Sequence, residues 1–171
     1  GGGDSAMEEA LVLSKVATNV LLVHRKDSFR ASQIMQDRVN KTKNIHLVLN
    51  SQITEVAGEF KVEKVTLQTN PSDKSLLSKS NEELDKIHLR GLLPAKTLSK
   101  DETSITWEIP IDGVFVAIGH IPNTKAFAGI ELDEQGYIKV RDHFHTNVEG
   151  VFVAGDVHDR QYRQAITASG F

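Results

Sequence analysis

Glycines and cations stand near the start of this sequence at a spacing that suits phosphate binding. The chain opens with Gly1-Gly2-Gly3-Asp4-Ser5-Ala6. Gly1 permits a tight turn, Gly3 lets the backbone approach an anion without a Cβ in the way, and Ala6 keeps the following helix close to a sheet. The start of such a helix offers free N–H groups and a positive dipole end. The pattern predicts a cradle for a pyrophosphate, and a plain glycine-rich loop is the alternative.

A basic cluster follows where a dinucleotide site would contact the ribose. The sequence there is His24-Arg25-Lys26, with Arg30 shortly after it. An NAD site places an Asp or Glu about 20 residues after the glycines, and that carboxylate would repel a 2′-phosphate. Arginine grips a phosphate with parallel N–H bonds, and lysine acts as a point charge. We therefore expect NADPH to be preferred over NADH, although charge clusters are more often solvated turns.

The elements that must position these residues follow an alternating α/β pattern. Apolar residues at helical spacing predict a helix over 4–17, and the run Val20-Leu21-Leu22-Val23 is typical of a strand buried on both faces. A second helix is expected over 31–41, with Ile34, Met35 and Val39 facing inward, and a second strand over 45–49. This order predicts a Rossmann-like parallel sheet.

The pattern then changes to antiparallel strands. Strands are expected over 52–56 and 61–67 around Gly58, and again over 105–109. Between them, 70–100 is expected to be a surface insertion within a β-meander, without a strand and with one short helix over 82–89. In the last part of the sequence, strands are expected over 114–118, 137–140 and 151–154, and a helix is expected from about Gln164.

Composition narrows the function further. The chain has 171 residues, a net charge of −3, 39% hydrophobic residues and no cysteine. The mild acidity argues against non-specific nucleic-acid binding, and no apolar run approaches the ~18 residues that span a membrane. Without cysteine the chain cannot itself hold a redox dithiol or a thiolate metal site. His143 and His145 alternate without further ligands at a fitting spacing, so no metal site is expected.

Four motifs in order along nearly the whole chain resemble those of low-molecular-weight thioredoxin reductases. They are the glycine run, His24-Arg25-Lys26-Asp27-Ser28-Phe29-Arg30-Ala31, Phe115-Val116-Ala117-Ile118-Gly119-His120 with Pro122-Asn123-Thr124, and Gly150-Val151-Phe152-Val153-Ala154-Gly155-Asp156 with Tyr162-Arg163-Gln164-Ala165. The resemblance implies an α/β fold with a Rossmann-like, three-layer NADPH-binding domain over 1–119. Residues 120–171 would be the C-terminal part of a second, FAD-binding Rossmann-like domain.

The resemblance also implies roles for individual residues. It implies that one set of residues binds NADPH, namely Gly1, Gly3, Asp4, Ser5, Ala6, His24, Arg25, Lys26, Arg30, Ile118 and Gly119. It implies that a second set binds FAD, namely Gly155, Asp156, Val157, Arg163, Gln164 and Ala165. Electrons would pass from NADPH through FAD and a cysteine pair, expected upstream of Gly1, to thioredoxin. Lys26 stands where the family often has Arg. The lysine keeps the positive charge but should weaken the bidentate binding of the phosphate that an arginine provides.

Several expectations and alternatives remain open at this point. Both ends are interpreted as truncations, with the first strand of the NADPH domain missing, so this chain alone is expected to be inactive and to bind FAD poorly. The full enzyme is expected to be a cytoplasmic homodimer. Alternatives are an NADPH-flavin reductase of the ferredoxin or flavodoxin type without the dithiol, and a non-catalytic nucleotide-binding fragment. An alkyl hydroperoxide reductase flavoprotein is disfavoured because its ribose contact should be acidic.

Overall fold

A computed structural model describes residues 1–91, 93–159 and 165–168 of the chain. They form two compact units, of which the first is Gly1–Ile118 and the second begins at Gly119. This division falls next to the boundary that the sequence places after residue 119. The assignment of each unit to a cofactor remains a prediction.

The first half of unit one is an α/β arrangement around a short parallel sheet. Its elements are α1 (Asp4–Leu13), β1 (Val20–Val23), α2 (Gln33–Lys41) and β2 (Ile45–Val48). Val20 lies opposite Ile45, and Val23 lies opposite Val48. The buried core of this half is made mostly of small or branched side chains, namely Ala6, Met7, Ala10, Val20, Leu22, Ala31, Val39 and Ile45. The predicted Rossmann-like pattern is confirmed here.

The first helix is shorter than the sequence predicts. It ends at Leu13 rather than continuing to residue 17. The amide Nδ2 of Asn44 donates hydrogen bonds to the carbonyls of Ser14 at 2.9 Å and Ala17 at 3.0 Å. After Leu13 the backbone hydrogen bonds include the i→i+3 type of a turn, and this distant side chain satisfies two carbonyls there.

The second helix also differs from its prediction at its start. It begins at Gln33, after the non-helical N-cap residue Ser32, and the N–H of Ala31 just before the cap is donated to the carbonyl of Gly2. Val39 is buried as expected and Met35 is partly buried, but Ile34 is 66% exposed. Ile34 is adjacent to Met35 and points about 100° away from it, and of these two residues only Met35 lies on the packed face of the helix.

The second half of unit one is an antiparallel sheet. Its strands are β3 (Ser51–Ala57), β4 (Lys64–Thr69), β5 (Lys96–Lys100) and β6 (Ile105–Pro110), in the spatial order β3-β4-β6-β5. The predicted hairpin around Gly58 is confirmed by the antiparallel pairing of β3 with β4. Its core contains larger side chains, namely Val48, Val65, Leu67, Leu84, Ala95, Ile105, Trp107 and Ile109.

The segment expected to be a strandless surface insertion is part of this sheet and its core. Its C-terminal end forms β5, which pairs with β6, so the prediction of no strand was wrong. It also contains a 3-10 turn at Lys74–Ser78 and helix α3 (Asn81–Ile87), and Leu84 of this helix is 1% exposed. Only Thr97 is buried in β5, so the strand has no apolar pattern and depends on its neighbour.

The predicted buried strand over 114–118 is also wrong. The segment has no strand structure, and Phe115, Val116 and Ile118 are 65%, 76% and 77% exposed. No strand in the described residues pairs with it. A strand needs a neighbour to accept and donate its backbone hydrogen bonds, so apolar sequence alone does not form one.

Unit two contains mostly turns in its described part. The strands expected over 137–140 and 151–154 are reduced to single bridges, Leu132 with Ile138 and His145 with Phe152. Thr124 donates its hydroxyl to the carbonyl of Gly136 at 2.8 Å. The helix expected near residue 164 appears as α4 (Ala165–Ala168). Among the described residues no helix has the length and apolar character to cross a bilayer, and no cluster of three metal-ligating side chains occurs.

Candidate nucleotide-binding site

The glycine turn leads into α1 as the sequence predicts. Gly3 is the N-cap residue, with an extended backbone, and no side chain caps the helix. A Cβ built on Gly3 would meet no atom within 4 Å, so this face of the turn is open. Uncapped N–H groups beside open space are what an anion at a helix N-terminus requires.

The other two glycines are tightly enclosed. A Cβ on Gly1 would lie 1.9 Å from the carbonyl oxygen of Ala117, and a Cβ on Gly2 would lie 2.3 Å from the ring of His24. Neither site could hold a side chain without moving backbone or a buried ring. Gly1 is therefore required for close packing against 114–118, in addition to the turn predicted for it. Ala6 is 3% exposed, which fits the predicted close approach of helix and sheet.

The turn that carries the cations is held by backbone hydrogen bonds. The carbonyl of Gly2 accepts the N–H groups of Arg30 at 2.7 Å and Ala31 at 3.0 Å. The carbonyl of Lys26 accepts the N–H of Asn50 at 3.1 Å. Residues at both ends of the turn are thus fixed, one end directly to the glycine run.

Within this turn Arg25, Lys26 and Arg30 all extend into solvent. None of the three forms an ion pair with a carboxylate in the described part of the chain. A fixed backbone that presents several unpaired cations is suited to a multiply charged anion such as a phosphate monoester. The described residues therefore fit a 2′-phosphorylated dinucleotide, as judged from the open Gly3 face and this cluster.

His24 occupies a different position from the three cations. Its ring is 7% exposed, stacks on Phe29 with centroids 5.2 Å apart, and has Nε2 3.0 Å from the carbonyl oxygen of Ser28. Burial lowers the pKa of His24, the hydrogen bond with the Ser28 carbonyl opposes this in part, and the charges of Arg25 and Arg30 add smaller lowering effects. The neutral ring must donate Nε2–H to that carbonyl. His24 therefore supports the turn from inside, and a direct contact with nucleotide stays a prediction.

The remaining predicted residues are only partly described. Ile118 is 77% exposed and Gly119 has φ +95°, a left-handed backbone that favours glycine. Gly155, with φ +89°, accepts from the N–H groups of His158 and Asp159 in a turn that leaves Asp156 exposed. Arg163 and Gln164 lie outside the described residues, and Ala165 is the first residue of α4. The predicted FAD contacts therefore stay predictions.

Comparison with known proteins agrees with this geometry. The family model described as pyridine nucleotide-disulphide oxidoreductase matches residues 1–170. The chain belongs to this family. Curated relatives in the family include the thioredoxin reductase of Mycolicibacterium smegmatis, 40% identical over 99% of this chain, and thioredoxin reductase 1, mitochondrial, of Arabidopsis thaliana, 39% identical over 99%. The chain covers 45% and 38% of their lengths, so it spans less than half of these relatives.

Solved structures of the family share the fold. The thioredoxin reductase from Giardia duodenalis is 35% identical, with a TM-score of 0.58 over 99% of this chain and 47% of that chain. The Lactococcus lactis thioredoxin reductase is 29% identical, with a TM-score of 0.65 over 99% of this chain and 46% of that chain. The resemblance seen in the sequence motifs and the Rossmann-like fold are thereby confirmed.

The sequence motifs did not reveal every residue that shapes the site. Gly2, Phe29 and Ser32 contact the predicted residues but were not singled out. Ser32 had one available signal, since a serine directly before a helical run is a common N-cap. No sequence signal could have revealed the contacts of Gly2, because they depend on how residues 24–31 pack against the start of the chain.

Proposed function

We propose that this chain is the NADPH-binding part, with a portion of the FAD-binding part, of a thioredoxin reductase. The observation that carries the proposal is the fixed turn of Arg25, Lys26 and Arg30, which lacks carboxylate partners in the described residues and is hydrogen-bonded to the glycine run. The similarity to thioredoxin reductases over nearly the whole chain supports the activity of the longer enzyme.

In this proposal each group of residues has one task. The N–H groups at the start of α1 bind the pyrophosphate, and the open face of Gly3 allows its approach. Arg25, Lys26 and Arg30 bind the 2′-phosphate, and Ile118 and Gly119 lie near the nicotinamide. Gly155, Asp156, Val157, Arg163, Gln164 and Ala165 contribute to FAD.

The full reaction needs groups that this chain does not supply. FAD, when bound, would accept hydride from NADPH and pass electrons onward. The chain has no cysteine, so the dithiol that reduces thioredoxin must belong to another part of a longer polypeptide. We further propose that this longer enzyme is a cytoplasmic homodimer.

The test is the choice between the two nucleotides. Arg25→Ala and Arg30→Ala each remove a charged donor to the 2′-phosphate, an interaction worth about 1.5–3 kcal/mol. Each variant should therefore bind NADPH roughly ten- to a hundredfold more weakly, whereas binding of NADH, which lacks this phosphate, should change less than about twofold. Fluorescence titration of both nucleotides measures this.

Arg38→Ala is the matched control. Arg38 is an exposed arginine on α2 outside the turn, and it should leave both affinities unchanged. Equal weakening of NADPH and NADH by the turn variants would contradict the assignment of the 2′-phosphate site. Equal affinity of the unaltered protein for both nucleotides would contradict the proposed NADPH preference itself.

A further inference from the structure

Asp4 is bound to a residue that lies far away in the sequence. Its Oδ1 accepts hydrogen bonds from both the N–H and the hydroxyl of Ser32, each at 2.9 Å and across 28 positions of the chain. The sequence predicted that Asp4 lines the pyrophosphate. Its carboxylate is engaged with the start of the second helix and its backbone N–H lies at the start of α1, so a pyrophosphate contact of Asp4 stays a prediction.

The hydroxyl of Ser32 is diverted from the usual role of an N-cap serine. Ser32 precedes α2, yet its side chain makes no capping hydrogen bond to that helix. An N-cap serine normally accepts a hydrogen bond from an N–H of the first turn, which stabilises the helix. Here the hydroxyl donates to Asp4, so the contact between the two helices replaces a local one.

Three successive residues are thereby fixed to the start of the chain. The N–H groups of Arg30 and Ala31 bind the carbonyl of Gly2, and Ser32 binds the side chain of Asp4. Of these contacts, only the one between Asp4 and Ser32 involves a side chain, so it can be removed by mutation without changing a glycine. Arg30 lies two residues before Ser32, so the link to Asp4 adds a side-chain constraint to the backbone that carries its guanidinium.

A carboxylate is a poor choice for direct contact with a phosphate at this position. Two anions repel, and an exposed Asp gains only a modest benefit from the positive end of a helix. The described contacts of Asp4 side-chain oxygens go to Ser32 and not towards the open face of Gly3. The geometry is that of a link between the starts of α1 and α2.

We propose that Asp4 is a positioning residue that sets the preference for NADPH by holding Arg30 in place through Ser32. This inference rests on the proposed function, because it concerns how the same 2′-phosphate site is built. NADPH gains from a preorganised Arg30, since less of the binding energy is spent on ordering the turn. NADH has no 2′-phosphate and gains nothing from it.

The test compares variants at both ends of the link. Asp4→Ala removes the acceptor, Ser32→Ala removes the hydroxyl but keeps the N–H, and Asp4→Asn keeps an acceptor oxygen in place. We expect Asp4→Ala to weaken NADPH binding about tenfold, as for loss of hydrogen bonds to a charged group. Ser32→Ala should weaken it less, Asp4→Asn should retain most of it, and NADH binding should change less than about twofold in all three.

A double variant distinguishes positioning from a general effect on the fold. If Asp4 acts through Arg30, then Asp4→Ala should add almost nothing to the loss caused by Arg30→Ala. Glu8→Ala is the control, because Glu8 is also an exposed carboxylate on α1 but forms no hydrogen bond to the cation turn in the described structure. It should leave both affinities unchanged. Circular dichroism should show the same helix content in every variant.

Two results would overturn the inference while leaving the proposed function intact. One is a wild-type preference for NADPH that Arg30→Ala abolishes and Asp4→Ala does not change. The other is an equal change in both nucleotides on Asp4→Ala or Asp4→Asn, which would place the carboxylate at the pyrophosphate. In contrast, a wild-type protein without any NADPH preference would reject the proposed function before any variant is compared.

Discussion

The two halves of unit one hold their strands in different ways. The antiparallel half joins four strands into one sheet, and its core includes the fully enclosed Leu67 and Ile109. The α/β half pairs only two short strands in its described residues and fills its core largely with alanine and valine. The candidate site lies in this second kind of structure, on turns that backbone hydrogen bonds connect to the glycine run.

This difference suggests that the two halves of unit one contribute differently to folding stability and to ligand binding. Small residues such as Ala6 and Ala10 allow α1 to approach the sheet closely, which an anion site at its N-terminus requires. The antiparallel half buries large apolar side chains such as Leu67 and Trp107, and burial of apolar surface is the main source of folding free energy. We infer that the antiparallel half is the more stable scaffold and that the α/β half is adapted to bind.

The largest effect is expected in the antiparallel core. Leu67 is 0% exposed, and Leu67→Ala should lower the free energy of unfolding by about 2–5 kcal/mol through lost burial and the cavity left behind. Its cross-strand partner Ile53 is 38% exposed on the edge strand β3, and Ile53→Ala should cost about 1 kcal/mol or less. Urea unfolding measures both, and equal losses would contradict the difference in packing between centre and edge of this sheet.

A pH-dependent effect is expected where the segment after β4 packs on the sheet. The ring of His88 stacks on Trp107 with centroids 4.3 Å apart, and its Nε2 lies 3.2 Å from the hydroxyl of Thr97. Burial lowers the pKa of His88 below its ordinary value of 6.5, and the nearby Asp85 opposes this only in part. The unfolded chain therefore binds a proton more readily than the folded one, so stability should be full above 6.5 and fall as the pH drops below it.

His88→Gln should flatten this dependence. Thermal unfolding between about pH 7.5 and about pH 5.5, the range in which histidines titrate, would show a smaller fall in Tm for the variant than for the unaltered protein. His120→Gln is the control, since His120 is exposed in unit two and should leave the slope unchanged. A wild-type slope retained in His88→Gln would show that protonation of other groups destabilises the fold.

Local sequence patterns correctly predicted those parts of unit one whose structural partners lie nearby in the sequence. Val20–Val23 forms a strand that pairs with β2, which is also mostly apolar and follows after one helix. The glycine run and the cations occur at a spacing that belongs to one βαβ unit, so their proximity could be predicted without a structure. Element ends were less accurate, since α1 ends at Leu13 and not at residue 17.

Contacts between distant residues account for what the sequence missed. β5 is largely polar, and only its pairing with β6 makes it a strand. The link from Asp4 to Ser32 joins residues whose separate patterns, a helix start and an N-cap, each predict a different local bond. His24 was grouped with the cations by its position in the sequence, but packing on Gly2 and Phe29 buries its ring.

The smallest effect is expected at the apolar segment that forms no strand. Val20 in β1 is 8% exposed and Val116 is 76% exposed, so the same substitution to Ala tests the same loss of methyl groups in two environments. Val20→Ala should lower the free energy of unfolding by about 1.5–3 kcal/mol. Val116→Ala should change it by no more than about 0.5 kcal/mol, because no burial is lost.

Comparing the two valine variants tests whether an apolar run of sequence is enough to indicate a buried strand. Both runs look like buried strands in the sequence, but in the described structure the first has a hydrogen-bonding neighbour and a buried Val20, whereas 114–118 has no paired strand and an exposed Val116. If chemical unfolding gave equal losses for the two variants, the segment 114–118 would be packed in solution and the original strand prediction would stand. Unequal losses would show that pairing, and not hydrophobicity, determines which apolar run contributes to the stability of the α/β half.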